Sequence, residues 1–213
     1  MAFPQPNSDW PPLNWQYWYD RYIEWGSWYS GDPERLANYY SSKFPDTEKG
    51  RFWASLEREE RRTMVHMPIA GDIGSTSADL LFSEVPDIQY KENESGGDRI
   101  KRFLEDNEFF NILIEGAEMS AALSGLFLKL DTDPELMATP IVSVVTPYHA
   151  LPEFHRGLLT AVTFWSEVKT DGRGKVWRLF EDRRRENGQL AIRYKLFEGR
   201  EDKTGREVEL NSI

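Results

Sequence analysis

Val176-Trp177-Arg178-Leu179-Phe180-Glu181-Asp182-Arg183-Arg184-Arg185-Glu186-Asn187-Gly188-Gln189-Leu190-Ala191-Ile192-Arg193-Tyr194-Lys195-Leu196-Phe197-Glu198 is the stretch that decides the fold. Two runs of extended, branched and aromatic residues flank Asn187-Gly188, the pair best suited to a two-residue hairpin because both residues tolerate positive φ. That turn fixes the register and sets Asp182 opposite Arg193 and Leu179 opposite Leu196. Working backward, Asp171-Gly172-Arg173-Gly174 is a second turn. Leu158 to Val168 and Ile141 to Val145 are further strand candidates. From Gly125 the apolar period is two, with Leu126, Leu128 and Leu130 alternating with Phe127 and Lys129.

Upstream of Gly125 the period is helical. Asn14 is a candidate N-cap. After it Trp15, Trp18, Tyr22, Trp25 and Tyr29 recur at spacings of three and four, one aromatic face on one helix. Gly31 ends that helix. Asp32-Pro33 starts the next, with aspartate as cap and proline at the first helical position, and Phe44-Pro45 stops it. Arg51 to Arg62 reads as a charged helix, and Val85 to Tyr90 as a short strand. Glu94 to Gly97 reads as a loop, with Asp98 capping a helix after it. Ile69, Ile73, Ser77, Leu80 and Leu81 follow helical spacing. Phe109 to Leu123 is the most apolar helix, and Gly116, Ser120 and Ser124 admit close approach of another backbone. Helices first and an antiparallel meander second make the class α+β. The segments are an extended arm over 1–13, a helical region over 14–124, an antiparallel sheet over 125–200 and a tail over 201–213.

Composition narrows the function classes. The 213 residues carry a net charge of −10, 14% aromatic side chains and no cysteine. A disulfide scaffold, a thiolate metal site and a cysteine nucleophile are therefore excluded. An acidic chain repels phosphates and is no default binder of nucleic acid. The stretch 171–206 is the exception, with eleven Lys or Arg against seven Asp or Glu; ordinary cross-strand ion pairs, charge-complementary self-association and a local contact with an anion all fit it. The most apolar run, near Phe109 to Leu130, is interrupted by Glu115, Glu118 and Lys129, so no membrane span is expected.

No catalytic constellation emerges, and no catalytic, cofactor or metal residue is assigned. Gly71-Asp72-Ile73-Gly74-Ser75-Thr76-Ser77 lacks the lysine of a phosphate loop. His149, Glu153 and His155 share no face of any one regular element, and Asp131 and Asp133 lack the remaining spacing of a calcium loop. His66, beside Met64 and Met67, reads as a packing residue. The aromatic face reads either as core or as a subunit contact; the candidate subunit interface comprises Trp15, Trp18 and Trp25 of that face with Arg183, Arg184 and Arg185 before the hairpin turn. Aromatic residues and arginine are enriched at interfaces. The rival reading is a cytoplasmic hydrolase or ligand-binding domain using Asp72, His149 and His155.

Several phrases in order carry a resemblance. They are Arg51-Phe52-Trp53-Ala54, His66-Met67-Pro68-Ile69-Ala70-Gly71-Asp72-Ile73 and Ser77-Ala78-Asp79-Leu80-Leu81-Phe82-Ser83-Glu84. Glu115-Gly116-Ala117-Glu118, Ala121-Ala122-Leu123-Ser124-Gly125 and Ala150-Leu151-Pro152-Glu153-Phe154 follow. Ala161-Val162-Thr163-Phe164-Trp165 and Val176-Trp177-Arg178 complete the set. From about Trp15 to Gly199 the chain resembles portal proteins of tailed bacteriophages, the type common in phages of actinobacteria. The resemblance implies a non-enzymatic virion protein at the capsid portal vertex, made in the host cytoplasm. It implies self-assembly into a dodecameric ring, the head-to-tail connector through which double-stranded DNA is packaged and ejected. The major capsid protein, the terminase and head-completion adaptors are the implied partners. Residues 14–124 would then be a helical wing, and 201–213 would lead toward clip and stem.

Overall fold

The computed structural model describes residues 3–53, 66–88 and 94–212. The class is α+β, with five helices followed by antiparallel strands. The chain divides into two compact units: residues 1–21 with 147–213, and residues 22–146. This partition differs from the sequence boundaries at 13, 124 and 200. The arm and the tail both join the sheet, and the first two strands stay with the helices.

In the helical unit, α1 (Leu13–Ser30) contributes its residues from Tyr22 onward. Gly31 has φ +63°, and a Cβ there would meet the Pro68 side chain at 2.2 Å, so only glycine fits. The Asp32 carboxylate accepts from the Glu34 N–H at 2.9 Å and caps α2 (Pro33–Lys43), as the sequence predicts. Helices α3 (Ile69–Leu81), α4 (Glu94–Asp106) and α5 (Phe109–Leu123) follow. The Glu94-Ser95-Gly96-Gly97 segment is the first turn of α4, so Asp98 lies within the helix and is not its cap. Residues 51–53 and 85–88 are neither helix nor strand. The rest of the expected helix to Arg62, and Tyr90, lie outside the described residues. Helix α5 packs against α3, α4 and β2 (Ile141–Val145), the last paired antiparallel with β1 (Phe127–Asp131). Gly74 and Ala78 of α3 and Gly116 and Leu123 of α5 are buried.

The second unit is a five-stranded meander in the order β3 (Ala150–His155), β4 (Leu158–Thr170), β5 (Lys175–Glu186), β6 (Gln189–Arg200) and β7 (Lys203–Val208). Asn187 and Gly188 have φ of +50° and +80°, and the register pairs Asp182 with Arg193 and Leu179 with Leu196, as the turn chemistry requires. Two strands are absent from the sequence reading. β3 is not among the strand candidates of the sequence, and β7 lies in the segment read as a tail. Pro152 gives up a ladder donor, which an edge strand such as β3 tolerates. Gly205 has φ +76°, and its Cβ would fall 2.0 Å from the Glu198 carbonyl oxygen, so β7 approaches β6 more closely than any side chain allows.

The core of this unit lies on one sheet face. Trp165, Phe180 and Phe197 pack there with Trp10, which comes from the segment read as an arm. That segment is fastened to β7. The Asn7 N–H donates to the Gly205 carbonyl at 2.6 Å, the Thr204 N–H to Ser8 at 3.0 Å and the Trp10 N–H to Asp202 at 2.9 Å. Asp9 also bridges Lys203. The first residues of the chain thus shield the sheet's last edge, where unpaired backbone groups would otherwise invite another strand. Residues Ala161 to Trp165 of β4 are all buried, so both sheet faces are covered at that level.

Candidate functional site

The aromatic face of α1 is not uniform. Trp15 is half-buried, Trp25 is half-buried beside Tyr22 at 5.8 Å, and Trp18 is 43% exposed. The ring of α1 that enters the sheet core is Tyr19, which the three-and-four spacing passed over. It stacks on Tyr148 at 4.5 Å and meets Trp10 edge-on at 6.4 Å. The two tyrosine hydroxyls are hydrogen-bonded to each other. Burial first, and that bond second, hold the Tyr19 hydroxyl well above the ordinary tyrosine range, so it stays protonated. Trp18→Ala is expected to change folding stability by less than about 1 kcal/mol, as surface truncations do. Chemical denaturation reads the change directly.

Trp15 walls a half-open cavity of about 420 Å³ together with Phe3, Pro4, Leu151, Pro152 and Glu153. The cavity is bounded by the arm, the start of α1 and β3. Its two acids already have basic partners: Glu153 is bound by Arg184 at 3.2 Å and Asp9 by Lys203. None of Asp72, His149 and His155 lines it.

The three arginines separate by strand alternation. Arg184 grips the fully buried Asp182 with two bonds, Nε to Oδ2 at 2.7 Å and Nη2 to Oδ1 at 2.9 Å, and reaches Glu153 besides. Those bonds, Asp182 first, raise the Arg184 pKa further above its already high value. Thr163 donates to Asp182 at 3.3 Å. On the other face the buried Arg183 pairs with Glu181, and Arg185 is exposed. Arg183 and Arg184 therefore have carboxylate partners within their own chain. Arg193 does not take Asp182, despite facing it. Arg193 binds Glu186 at 2.6 Å instead. Farther along, Glu198 accepts from Lys175 at 2.5 Å and Arg206 at 2.9 Å, and these bonds hold its carboxyl below the usual range. The basic residues of this stretch thus pair both along β5 and across strands.

A fourth arginine is given no site role by the sequence. Arg178, 2% exposed, lies 5.3 Å from the Trp10 ring centroid. It donates to the Arg200 carbonyl at 2.7 Å and pairs with Glu167 at 3.2 Å. It ties the β6–β7 turn to the tryptophan of the arm.

The residues of the rival reading occupy different settings. Asp72 is exposed on α3, where the Gly71 to Ser77 stretch is helix rather than loop. His155 is exposed at the end of β3. His149 is half-buried between Tyr148 at 4.8 Å and Trp165 at 5.0 Å. Burial pushes its pKa below 6.5, with Glu167 opposing. A histidine whose folded pKa is depressed contributes full stability above its unfolded pKa, and that stability falls as pH drops through 6.5 toward the folded value. Stability is therefore expected to decline between about pH 7 and pH 5, and His149→Gln should flatten that segment of the profile in denaturation titrations. His66 packs edge-on against Phe52 at 5.4 Å. Asp133 caps a turn through the Glu135 N–H, and Asp131 pairs with Lys129 at 3.1 Å.

Among the described residues, no three His, Asp or Glu side chains are placed to hold a metal ion, and no helix is long and apolar enough to cross a membrane. No family model matches the chain, and no curated protein matches it.

Proposed function

We propose that the chain is a structural virion protein, a segment of a portal subunit that serves as a rigid peripheral lobe of the ring through which phage DNA is packaged and ejected. The reading starts from the ordered phrases that resemble portal proteins. One observation supports it further: six of the eight phrases include at least one buried residue of the fold. Ala161-Val162-Thr163-Phe164-Trp165 is the fully buried centre of β4. Gly74 and Ala78 lie in or beside two phrases, and Gly116 and Leu123 lie in two more. All four are buried in the helical unit. A likeness confined to surface residues would be weaker support for a shared architecture.

A fastened sheet suits mechanical placement. The arm closes the β7 edge, and the buried Arg178 binds the last hairpin to the arm's tryptophan. The net charge of −10 suits a collar past which DNA must slide rather than bind tightly.

Immunogold labelling of particles from cells carrying the gene tests the assignment. An antibody against this chain should mark a single vertex. Purified particles that carry none of the protein would contradict the proposal.

A further inference from the structure

One end of the meander presents aliphatic side chains among arginines. The β3–β4 and β5–β6 turns both lie at this end. An open groove of about 360 Å³ runs there, walled by Leu159, Val162, Leu190, Arg183, Arg184 and Arg185. Leu159 is 51% exposed and Leu190 63%. No carboxylate is among the described residues that wall the groove. Arg183 and Arg184 are held by acids of their own chain. The exposed Arg185 has no ion-pair or hydrogen-bond partner among the described residues. Arg156, exposed in the β3–β4 turn, adds a further positive charge at this end.

We infer that this groove takes the segment Glu84-Val85-Pro86-Asp87-Ile88 of another copy of the chain, head to tail. The segment follows α3, and all five of its residues are exposed, Val85 at 70% and Ile88 at 49%. Pro86 keeps Val85 out of the helical region, which favours an extended course. The segment offers two aliphatic side chains, two carboxylates and no cation, the converse of the groove. The asymmetry of charge extends beyond the two patches. Residues 22–146, which hold the segment, carry 23 Asp or Glu against 12 Lys or Arg, while the rest of the chain carries 13 against 14. Contact between two helical units would set acid against acid, whereas groove and segment bring opposite charges together. A contact between two different patches repeats from copy to copy and closes as a ring where the rotation allows. The inference thus rests on the collar reading and names one contact of that collar.

The test is sedimentation velocity on the 213-residue chain from micromolar to near-millimolar concentration. The unmodified chain should form species that grow past the dimer. Leu190→Asp puts an acid into the groove, and Val85→Asp removes an aliphatic side chain from the segment. Each alone should weaken association about 30-fold or more with unchanged circular dichroism, since both side chains are exposed. Mixed in equal amounts, the two variants hold one intact groove and one intact segment between them. The mixture should therefore form a dimer at the unmodified affinity and grow no further. An unmodified chain that stays monomeric or stops at the dimer overturns the inference. So does either variant assembling like the unmodified chain, or a mixture that stays monomeric or grows past the dimer. Monomers that pellet with vesicles of anionic phospholipid would assign the groove to a lipid headgroup instead. Rings of the complete subunit that survive Leu190→Asp would remove this contact and leave the collar standing.

Discussion

Trp10→Ala should cost about 3–5 kcal/mol of folding free energy, the range for deleting a large aromatic from a packed core. Trp10 is buried and meets Trp165 at 4.9 Å and Phe180 at 5.3 Å, both edge-on. Its indole also carries the buried guanidinium of Arg178. Removing the ring opens a cavity between the arm and the sheet and takes away one side of the Arg178 setting. The arm's hydrogen bonds to Asp202, Thr204 and Gly205 then have little apolar burial behind them. Two readouts are expected together: a lower urea midpoint, and faster amide exchange at Thr204. A loss below about 1 kcal/mol would mean that the arm rests on the sheet without fastening it.

The second large effect belongs to Arg184. Arg184→Met should destabilise by about 3 kcal/mol, because removing one partner leaves the other charge buried. Asp182 has no solvent exposure, and besides Arg184 the hydroxyl of Thr163 at 3.3 Å is its side-chain contact. Arg184 also binds Glu153 on β3, so the substitution loosens the β3 edge as well. Combining Arg184→Met with Asp182→Leu should recover roughly 2 kcal/mol of the loss, since an apolar pair of similar volume carries no unpaired charge. A double variant as unstable as the sum of the two single variants would show that the two residues act independently.

The hairpin was legible because its determinants are local. Asn187 and Gly188 fix the turn, and the register of β5 on β6 follows by counting. The ion pairing across it was not legible. Asp182 and Arg184, two apart on one strand, share a face, and Thr163 of β4 completes the buried site. Arg193, in more solvent, turns to Glu186. Segments without periodicity were hardest to place. Residues 1–13 read as an extended arm because prolines give no strand pattern, and Trp10 was the one sign of burial. Pro152 and Gly205 likewise disguised β3 and β7, which exist because neighbouring strands satisfy their backbone groups. In α3 the helical spacing was plain. Spacing alone does not say which face packs, and here the close approach allowed by Gly74 and Ala78 took precedence over the larger side chains. Of the candidate interface residues, Trp18 and Arg185 lie exposed, while Trp15, Trp25, Arg183 and Arg184 are at least half-buried in their own chain.

The central proposal is mechanical: this chain is a structural part of a symmetric collar. Electron micrographs of the complete subunit of which this chain is proposed to be a segment, recorded over a range of protein concentrations, test it most directly. The account predicts closed rings of uniform subunit number with a central opening. Fields holding only single chains and pairs at every concentration would contradict it.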